Sequence, residues 1–458
     1  MSLMVAKTFT RSELEQLRLK VRHWLEFHPE KGAHRLDREV FLSEEVFELE
    51  MRHLFEGGWV YLAHESQVPN DNDFLTTYIG RQPVIVTRDA RGEFSCLLNA
   101  CSHRGARVCR VKKGTRRTFT CSFHGWVYDN HGQNLDIRGY DAGGYLPKFE
   151  RRELGLPRAR IESYRGFLFG SLNPDVPPLQ THLAGSKYFI DLILDQSPTG
   201  KVEVIPGRTT YTYNGNWKLA AENGVDGYHG PTVHASYITA AKRRMADPTR
   251  DVKVLDLSAI EKADGGFFYF GRGHAALWAS YLNFESRPNY VFRDQFIKSF
   301  GAEKTQWMIE QSRNLLLYPN VFLMDTSSNQ IRIIRPISLE KTEVTTYCFG
   351  PEAEAADSRA MRIRQYEDFF NASGMATPDD LAEFTNCQQG FHARASQWSD
   401  LSRGAANWKE HPDGKAGNGV PAMMSGGNST SEGLYVGLHG YWINKIDAAI
   451  EMELTRAR

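Results

Sequence analysis

The sequence predicts an α+β protein in which a small all-β domain is followed by a long sheet with helices packed against it. Between about residues 58 and 173, short apolar runs are separated by clusters of Asn, Asp, Gly and Pro, as is typical of a small all-β domain. After residue 174, strand-like segments alternate with helical ones, which favours a sheet covered by helices. A chain of 458 residues is long enough for two or three domains.

Two helices are expected before the all-β region. Residues 12–28 have an apolar stripe at helical spacing, and Ser12 with Glu15 has the pattern of a capping box. Pro29 ends this helix. A second, shorter helix is predicted over residues 43–55, which also begin with a serine followed by glutamates. The stripe of the first helix consists of Leu14, Leu17, Val21, Trp24 and Leu25.

The remaining elements are predicted from runs of β-forming residues and from helical periodicity. The strand-like runs of the all-β region are 59–64, 74–79, 83–89, 94–100, 117–123 and 166–172. Later strands are expected within 209–220, 320–337 and 343–350, and helices over 357–373 and 378–391. Residues from about 400 to 432 are rich in Gly, Ser, Asn and Pro and are predicted to form an ordered loop or linker.

Composition excludes several classes of function. The 55 basic and 55 acidic side chains cancel, so no global field attracts nucleic acid or an anionic membrane. No run of about 18 apolar residues occurs and the first residues lack an apolar signal core, so we expect neither a membrane span nor export, but a cytoplasmic enzyme. Six cysteines are too few to cross-link such a fold and are expected to be free thiols or metal ligands.

Two of these cysteines lie beside histidines in a mixed pattern. Cys101 and His103 form a C-x-H pair, and Cys121 and His124 form a C-x-x-H pair, each followed by a glycine. Two thiolates and two imidazoles suit either a structural zinc ion or a [2Fe–2S] cluster of the Rieske type. Zinc fingers usually group Cys with Cys and His with His, so the mixed pairs favour the cluster over zinc and over core residues placed by chance. The cysteines expected to be thiols without a metal are Cys96, Cys109, Cys348 and Cys387.

A second group of metal-binding residue types follows at Asp226, His229 and His234. Asp226 and His229 are three residues apart and share one face of a helix, whereas His229 and His234 are five apart and diverge on a regular helix. Pro231 disrupts the helix after His229 and allows the chain to bring His234 back to the same point. Two imidazoles and one carboxylate leave open positions on ferrous iron, as in non-haem oxygenases.

Two sources compete for the carboxylate ligand. Asp226 is close in sequence, but it can equally orient an imidazole by accepting its N–H. The alternative is Asp379 or Asp380, where Pro378 begins a helix and acids are also common as cap and dipole partners. The spacing alone leaves this choice open.

Positive charge is concentrated between the two Cys/His pairs. No acidic residue occurs there, but few aromatic residues are interleaved, so nucleic-acid binding is not expected. The two alternatives are an ordinary solvated loop and a surface that steers an acidic electron donor. This basic loop consists of Arg104, Arg107, Arg110, Lys112, Lys113, Arg116 and Arg117.

Together these patterns resemble the large (alpha) subunit of the Rieske non-haem iron ring-hydroxylating dioxygenases. The resemblance rests on the two Cys/His pairs, on an Asn-Trp-Lys stretch before D-x-x-H-x-x-x-x-H, and on the distal Asp-Asp, and it spans about residues 30–440. Segments such as FEGGWVYLAHESQVP, NACSHRGA, TCSFHGW and AENGVDGYH are most similar to the benzoate, toluate, halobenzoate and anthranilate 1,2-dioxygenases.

The resemblance implies a domain organisation and two cofactors. Residues 57–173 would be a Rieske domain, inserted in a larger catalytic domain with an antiparallel sheet flanked by helices. Residues 174–458 would form that catalytic domain, with the N-terminal helices of residues 1–56 packed on it. One [2Fe–2S] cluster and one mononuclear Fe(II) per chain are implied. The implied cluster ligands are Cys101, His103, Cys121 and His124, and the implied iron ligands are His229, His234 and Asp380.

The resemblance also implies a reaction and partners. A terminal oxygenase of this kind adds both atoms of O2 to a benzoate-type aromatic carboxylate and yields a cis-dihydrodiol or, from anthranilate, a catechol. Electrons would come from NADH through a flavin and iron–sulfur reductase or a ferredoxin, and would cross between the subunits of an alpha3beta3 or alpha3 oligomer. Asp226 would bridge the iron site to a Rieske histidine of the neighbouring subunit. Two alternatives stay open: a Rieske monooxygenase or demethylase, and a zinc-stapled binding module.

An anionic substrate needs a cationic partner in the pocket. Arg332 and Arg335 lie on a predicted core strand, and either guanidinium could bind a carboxylate through two hydrogen bonds. Asn223, Met324 and Phe384 are further candidates for the pocket wall. For all five residues the alternative is ordinary packing or a surface position.

Overall fold

The computed structural model describes residues 8–247, 249, 263–417 and 419–456. Contacts along the chain divide it into two compact units, Met1–Glu50 with Leu183–Arg458, and Met51–His182. The second unit extends beyond the predicted limits of 57 and 173 at both ends. Glu56 accepts a hydrogen bond from the backbone of Leu172, and the Trp59 indole donates to the carbonyl of Pro177, so residues on both sides pack with the β region.

The N-terminal segment differs from the predicted helix over residues 12–28. The helix begins at Arg11, one residue earlier, because Thr10 and Glu13, not Ser12 and Glu15, form the capping box. It ends at Val21, and the residues that follow form a strand instead. The second helix begins after the Ser43 cap, as predicted, and continues as a π-helical turn over Glu50–Glu56. The bounds are α1 Arg11–Val21, β1 Leu25–His28, β2 Ala33–Asp37 and α2 Glu44–Leu49.

The unit Met51–His182 is built from antiparallel strands, as the sequence predicts. The strands are β3 Val60–His64, β4 Asp73–Ile79, β5 Gln82–Arg88, β6 Phe94–Leu98, β7 Lys113–Thr115, β8 Thr118–Thr120, β9 Val127–Asp129, β10 Asn134–Asp136, β11 Arg158–Tyr164 and β12 Phe167–Ser171. Seven of them form a sheet in the order β3-β12-β11-β6-β5-β4-β7, and three form a small sheet in the order β10-β9-β8. Strands β7, β9, β10 and β11 are additional to the predicted runs.

In the rest of the chain, which from Leu183 onward belongs to the larger unit, antiparallel strands and helices alternate. The elements are α3 Leu179–Leu183, α4 Lys187–Leu194, β13 Val202–Val204, β14 Thr209–Tyr213, α5 Trp217–Asn223, α6 Gly230–Val233, α7 Ala235–Met245, β15 Gly265–Gly271, β16 His274–Ser280, α8 Arg293–Phe300, α9 Ala302–Ile309, β17 Gln311–Leu317, β18 Val321–Thr326, β19 Ser328–Ser338, β20 Lys341–Pro351, α10 Ala356–Phe369, α11 Thr377–Phe391, β21 Trp398–Asp400, β22 Trp408–Glu410, β23 Met424–Gly426 and α12 Gly433–Arg456.

The central sheet of this unit has the order β13-β20-β19-β18-β17-β16-β15-β23-β22, with β14 also paired to β20. The predicted loop over 400–432 thus contributes β22, the edge strand of this sheet, and its neighbour β23. Strands β1, β2 and β21 form a separate small sheet. Short 3-10 turns occupy Arg38–Phe41, Glu65–Gln67, Arg151–Glu153, Ala184–Ser186, Phe284–Ser286, Tyr290–Phe292 and Ala405–Asn407. Among the described helices, none combines the length and apolar character needed to cross a bilayer.

Candidate metal centres and adjoining cavity

A single helical turn holds the two histidines of the second metal motif. His229 immediately precedes α6 and His234 immediately follows it, so the two side chains project from opposite ends of four residues. Pro231 lies in the first turn of α6, where its missing N–H is tolerated. The proline therefore begins a helix rather than ending one, although the result is the predicted convergence of the two rings.

Three donor atoms converge at this turn. Nε2 of His229 lies 3.2 Å from Nε2 of His234, and Oδ1 of Asp380 lies 3.5 Å and 3.4 Å from these two nitrogens. Ligands at right angles and about 2.1 Å from a metal ion are about 3 Å apart. The triangle therefore fits one face of an octahedral metal ion with small adjustments of the side chains.

Asp379 and Asp380 have different surroundings although they are adjacent. Asp380 is buried in the first turn of α11, and its Oδ1 also accepts a hydrogen bond of 3.1 Å from Nδ2 of Asn223. Asp379 points to an exposed position, where Oδ2 accepts from the Ser236 hydroxyl at 3.1 Å. Helix geometry turns successive side chains by about 100°, so only one of the two acids faces the histidines.

Asp226 lies behind His229 rather than beside the other donors. Its Oδ2 is 3.1 Å from Nδ1 of His229, an ion-pair distance although the ring N–H is not aligned for a hydrogen bond. Its Oδ1 accepts from the backbone N–H of Tyr228 at 2.6 Å. Burial opposes ionisation of the Asp226 carboxyl group, but the His229 ring and the backbone N–H groups of Tyr228 and His229 lower its pKa. A carboxylate in this position suits the role of orienting an imidazole whose other nitrogen binds metal.

The two imidazoles differ electrostatically. Burial opposes protonation of both, and it lowers the pKa of His234. At His229 the neighbouring Asp226 and Asp380 carboxylates outweigh burial and raise the pKa. A metal ion binds the neutral ring, so a cation bound at this site would oppose protonation of His229.

In the all-β unit, the two Cys/His pairs lie on loops with the same backbone geometry. In each loop the glycine has a positive φ, 73° at Gly105 and 74° at Gly125, which favours glycine over other residues. Each loop closes by two backbone hydrogen bonds: Gly105 N to Cys101 O, Cys101 N to Ala106 O, Gly125 N to Cys121 O, and Cys121 N to Trp126 O, all between 2.7 and 2.9 Å.

The cysteine and histidine side chains of these two loops lie on opposite sides. Both cysteines are buried in the core of the unit, whereas Nδ1 of His103 and Nδ1 of His124 meet 3.1 Å apart at the surface. Partial desolvation and the neighbouring His103 and Arg104 lower the pKa of His124, which favours the neutral ring that binds metal. Buried thiolates on one side and imidazoles on the other suit a two-iron cluster with one iron at each pair.

The distances among the four Cys and His donor atoms can be compared with those that a structural zinc ion requires. In the described part of the chain, three metal-binding atoms lie within 4.8 Å of one another at His229, His234 and Asp380, and no other set of His, Cys, Asp or Glu residues meets that limit. The Cys/His quartet is therefore too wide for a single tetrahedral ion, which disfavours a structural zinc.

A cavity adjoins the three converging donors. It offers about 90 Å³ to the centres of water-sized molecules, several times the roughly 10–15 Å³ that one water needs. Asn223, Met324 and Arg332 line it, as the sequence predicts for the pocket wall. Sequence reasoning missed further lining residues that carry no recognisable motif, among them Ile238, Leu277, Asn314, Thr326, Phe369, Phe370 and Ser429.

Two predicted pocket residues lie elsewhere. Arg335 is three residues from Arg332 on β19, so alternation along the strand turns it to the other face, where Nε binds Glu343 at 2.9 Å. Phe384 packs against Tyr213 with ring centroids 4.9 Å apart and is absent from the cavity wall. Both predictions are wrong because neither side chain reaches the cavity.

The basic loop is solvent-exposed at all seven of its charged residues. Arg110 donates to the Ser122 hydroxyl at 2.8 Å, and the guanidinium of Arg116 lies over the ring of Phe74. The loop thus presents several exposed positive charges on the unit that carries the Cys/His pairs.

Two family descriptions match the chain. "Rieske [2Fe-2S] domain" matches residues 58–150, and "Ring hydroxylating alpha subunit (catalytic domain)" matches residues 204–439. The alpha subunit of toluate 1,2-dioxygenase from Pseudomonas putida is 47% identical over 93% of this chain and 94% of its own length. The large subunit of 2-halobenzoate 1,2-dioxygenase from Burkholderia cepacia is 47% identical over 93% of this chain and 92% of its own length.

Two further similarities extend this result. The large subunit of anthranilate 1,2-dioxygenase from Acinetobacter baylyi is 44% identical over 91% of this chain and 90% of its own length. Among solved structures, naphthalene 1,2-dioxygenase with indole bound superposes with a TM-score of 0.79, over 92% of this chain and 94% of that one, at 23% identity. At that identity the structural match supports the fold.

Proposed function

The chain belongs to the family of ring-hydroxylating dioxygenase alpha subunits, and on this basis we propose which residues hold its two metal centres and which substrates it oxidises. It is a terminal oxygenase with a Rieske [2Fe–2S] cluster and a mononuclear iron. The proposal concerns the residues, the substrate class and the assembly.

The proposed iron ligands are His229, His234 and Asp380. The observation that carries this assignment is the triangle of donor atoms, 3.2 to 3.5 Å on a side, beside a cavity large enough for an organic ligand. A triad on one face leaves the opposite coordination positions free, and an iron ion held there supplies the site of oxygen activation. The proposed ligands of the cluster are Cys101, His103, Cys121 and His124.

Other residues of the chain position these ligands. Asp226 fixes the orientation of His229 through Nδ1, and Asn223 donates to the carboxylate of Asp380. The apolar rings of Phe369 and Phe370 line the cavity and limit the access of water to the triad. We also propose, in keeping with the resemblance, that Asp226 links this site to the cluster of a neighbouring subunit.

The proposed substrate is a benzoate-type aromatic carboxylate, converted to a cis-dihydrodiol or, for an ortho-amino acid such as anthranilate, to a catechol. The relatives named for toluate, 2-halobenzoate and anthranilate support this class, since each is at least 44% identical over nine-tenths of the chain. A Rieske monooxygenase is a weaker alternative, because the monooxygenases that match in structure are about 15% identical.

We propose that the oxygenase is an alpha3beta3 or alpha3 oligomer reduced by a separate flavin and iron–sulfur protein or a ferredoxin. The names of the relatives, which are subunits of multicomponent enzymes, support a multicomponent system. The exposed basic loop favours an acidic electron donor. We propose a cytoplasmic location, since no disulfide links the six cysteines, as is usual in a reducing compartment.

Product analysis under labelled oxygen tests this function. Purified oxygenase with a competent reductase is supplied with 18O2 and, separately, benzoate, anthranilate, the toluates and the halobenzoates. A dioxygenase incorporates two labelled atoms into a cis-diol or catechol. Incorporation of one labelled atom, for example by hydroxylation of the methyl group of a toluate, would establish the monooxygenase alternative instead.

A further inference from the structure

Arg332 is buried, and its charge has no ion-pair partner in the described part of the chain. Its side chain is 6% exposed, and its contacts are with neutral groups: Nε donates to Oε1 of Gln330 at 3.1 Å, and Nη1 lies 3.4 Å from Oδ1 of Asn223. The guanidinium also lies 6.0 Å from the centre of the Phe370 ring. No carboxylate in the described part of the chain forms an ion pair with it within 4.0 Å.

The other buried arginines of the described chain do not share this condition. Arg287 and Arg313 both pair with the carboxylate of Asp325, and Arg362 pairs with Glu354 at 2.5 Å. Taking a guanidinium out of water is expensive unless an anion compensates for it. Among the described residues, the fold supplies that anion at three of the four buried arginines, so the exception at Arg332 points to an anion that the described part of the chain does not provide.

The position of Arg332 identifies where that anion would lie. The side chain lines the cavity beside the iron triad, and Asn223 connects the two, since its Nδ2 donates to Asp380 while its Oδ1 faces Arg332. The two carboxylates of the cavity, Asp226 and Asp380, balance the charge of a bound Fe²⁺. The charge of Arg332 is then uncompensated, which matches a monoanionic ligand.

We propose that Arg332 binds the carboxylate of the aromatic substrate and so positions the adjacent ring carbons at the iron. This inference rests on the proposed function and adds the residue that distinguishes an aromatic acid from a neutral arene. A planar guanidinium can bind a carboxylate through two hydrogen bonds, which fixes the plane of the ring as well as its distance. Because Asn223 contacts both Arg332 and Asp380, a carboxylate held by Arg332 would place the ring carbon that bears it, and the neighbouring carbon, toward the triad.

Equilibrium binding tests this proposal without relying on turnover. Benzoate and nitrobenzene, a neutral molecule of nearly the same shape, are dialysed anaerobically against the reduced holoenzyme, and Kd is determined for each. The wild type should bind benzoate about 100-fold more tightly than nitrobenzene. Arg332→Gln should weaken benzoate binding by about 100-fold and change nitrobenzene binding by less than about threefold, because loss of one partner of a buried charge pair is costly. Arg332→Lys should recover part of the loss.

Arg335→Gln is the matched control, since it removes the same charge from the same strand on the face away from the cavity. Its Kd for benzoate should equal that of the wild type. Equal loss of benzoate and nitrobenzene binding in Arg332→Gln would mean that Arg332 only maintains the cavity, and equal affinities of the wild type for the two ligands would overturn the proposal without any variant. A wild type that binds benzoate but yields no diol would count against the proposed function and leave this inference standing.

Discussion

Removal of one lysine should destabilise the larger unit strongly. The carboxylate of Glu50 is fully buried and accepts hydrogen bonds from Lys218 Nζ at 2.5 Å, Trp217 Nε1 at 2.9 Å and Trp442 Nε1 at 2.7 Å. Lys218 is the single cation of this cluster and belongs to α5, the helix that ends at Asn223. Lys218→Met keeps most of the volume and leaves the carboxylate with two neutral donors.

The expected loss is about 3–4 kcal/mol in the free energy of unfolding. Breaking a buried ion pair typically costs about 3–5 kcal/mol. The variant can instead protonate Glu50, but neutralising a glutamate at pH 7 costs about 4 kcal/mol. With about 2.1 cal/mol/K of unfolding entropy per residue, the roughly 330 residues of the larger unit convert this loss to a fall in Tm of about 5 °C. Differential scanning calorimetry of the iron-loaded protein measures it.

Two further variants show whether the reasoning holds. Lys304→Met removes a lysine whose partner Asp195 lies 2.7 Å away at a partly exposed site, and it should cost less than about 1 kcal/mol. Glu50→Gln combined with Lys218→Met leaves no buried charge and should recover most of the loss. A fall in Tm no larger than that of Lys304→Met, or a double variant as unstable as Lys218→Met, would refute the argument.

Four other outcomes are expected. His229→Ala should abolish hydroxylation and leave the visible absorption of the cluster intact; loss of that absorption would contradict two separate sites. Asp380→Asn should lower the iron content of the purified protein, whereas Asp379→Asn should not. Burial and the neighbouring Asp226 raise the pKa of Glu432 to about 7. The folded protein therefore keeps this proton between about pH 4.5 and 7, where the unfolded chain loses it, and the free energy of unfolding falls as pH rises through that range. Glu432→Gln should raise Tm at pH 8 and have little effect at pH 4.5. Stopped-flow reduction by an acidic donor should slow with salt, and a rate independent of ionic strength would exclude steering by the basic loop.

The family, the two cofactors and the reaction class could be predicted from the sequence, and these predictions are confirmed by the similarity to known proteins. They rest on short segments in which the chemistry is local. A Cys and a His separated by one or two residues lie on the same loop whatever the position of that loop in the fold. His229 and His234 are brought together by a single helical turn. Such motifs need little knowledge of the rest of the fold.

Predictions that depend on distant partners were weaker. The residues after Val21 have a helical pattern, but Leu25–His28 pairs with Ala33–Asp37, which in turn pairs with Trp398–Asp400. The third strand of this small sheet, Trp398–Asp400, lies more than 350 residues along the chain, so the sequence near residue 25 does not indicate it. Tertiary pairing of this kind overrides helical periodicity in short segments.

Arg332 and Arg335 show the same limit at the level of function. Both occur in one strand of alternating apolar and basic residues, and the sequence offers no reason to prefer either as a ligand-binding group. Their difference arises from the register of β19, which turns Arg335 toward Glu343 and leaves Arg332 facing the cavity with no ion-pair partner among the described residues. A half-buried arginine with a carboxylate partner already has its charge compensated, whereas a buried one without a partner requires an anion. Burial and the absence of a partner among the described residues, rather than residue type, are therefore the reasons for proposing Arg332 as the substrate-binding arginine.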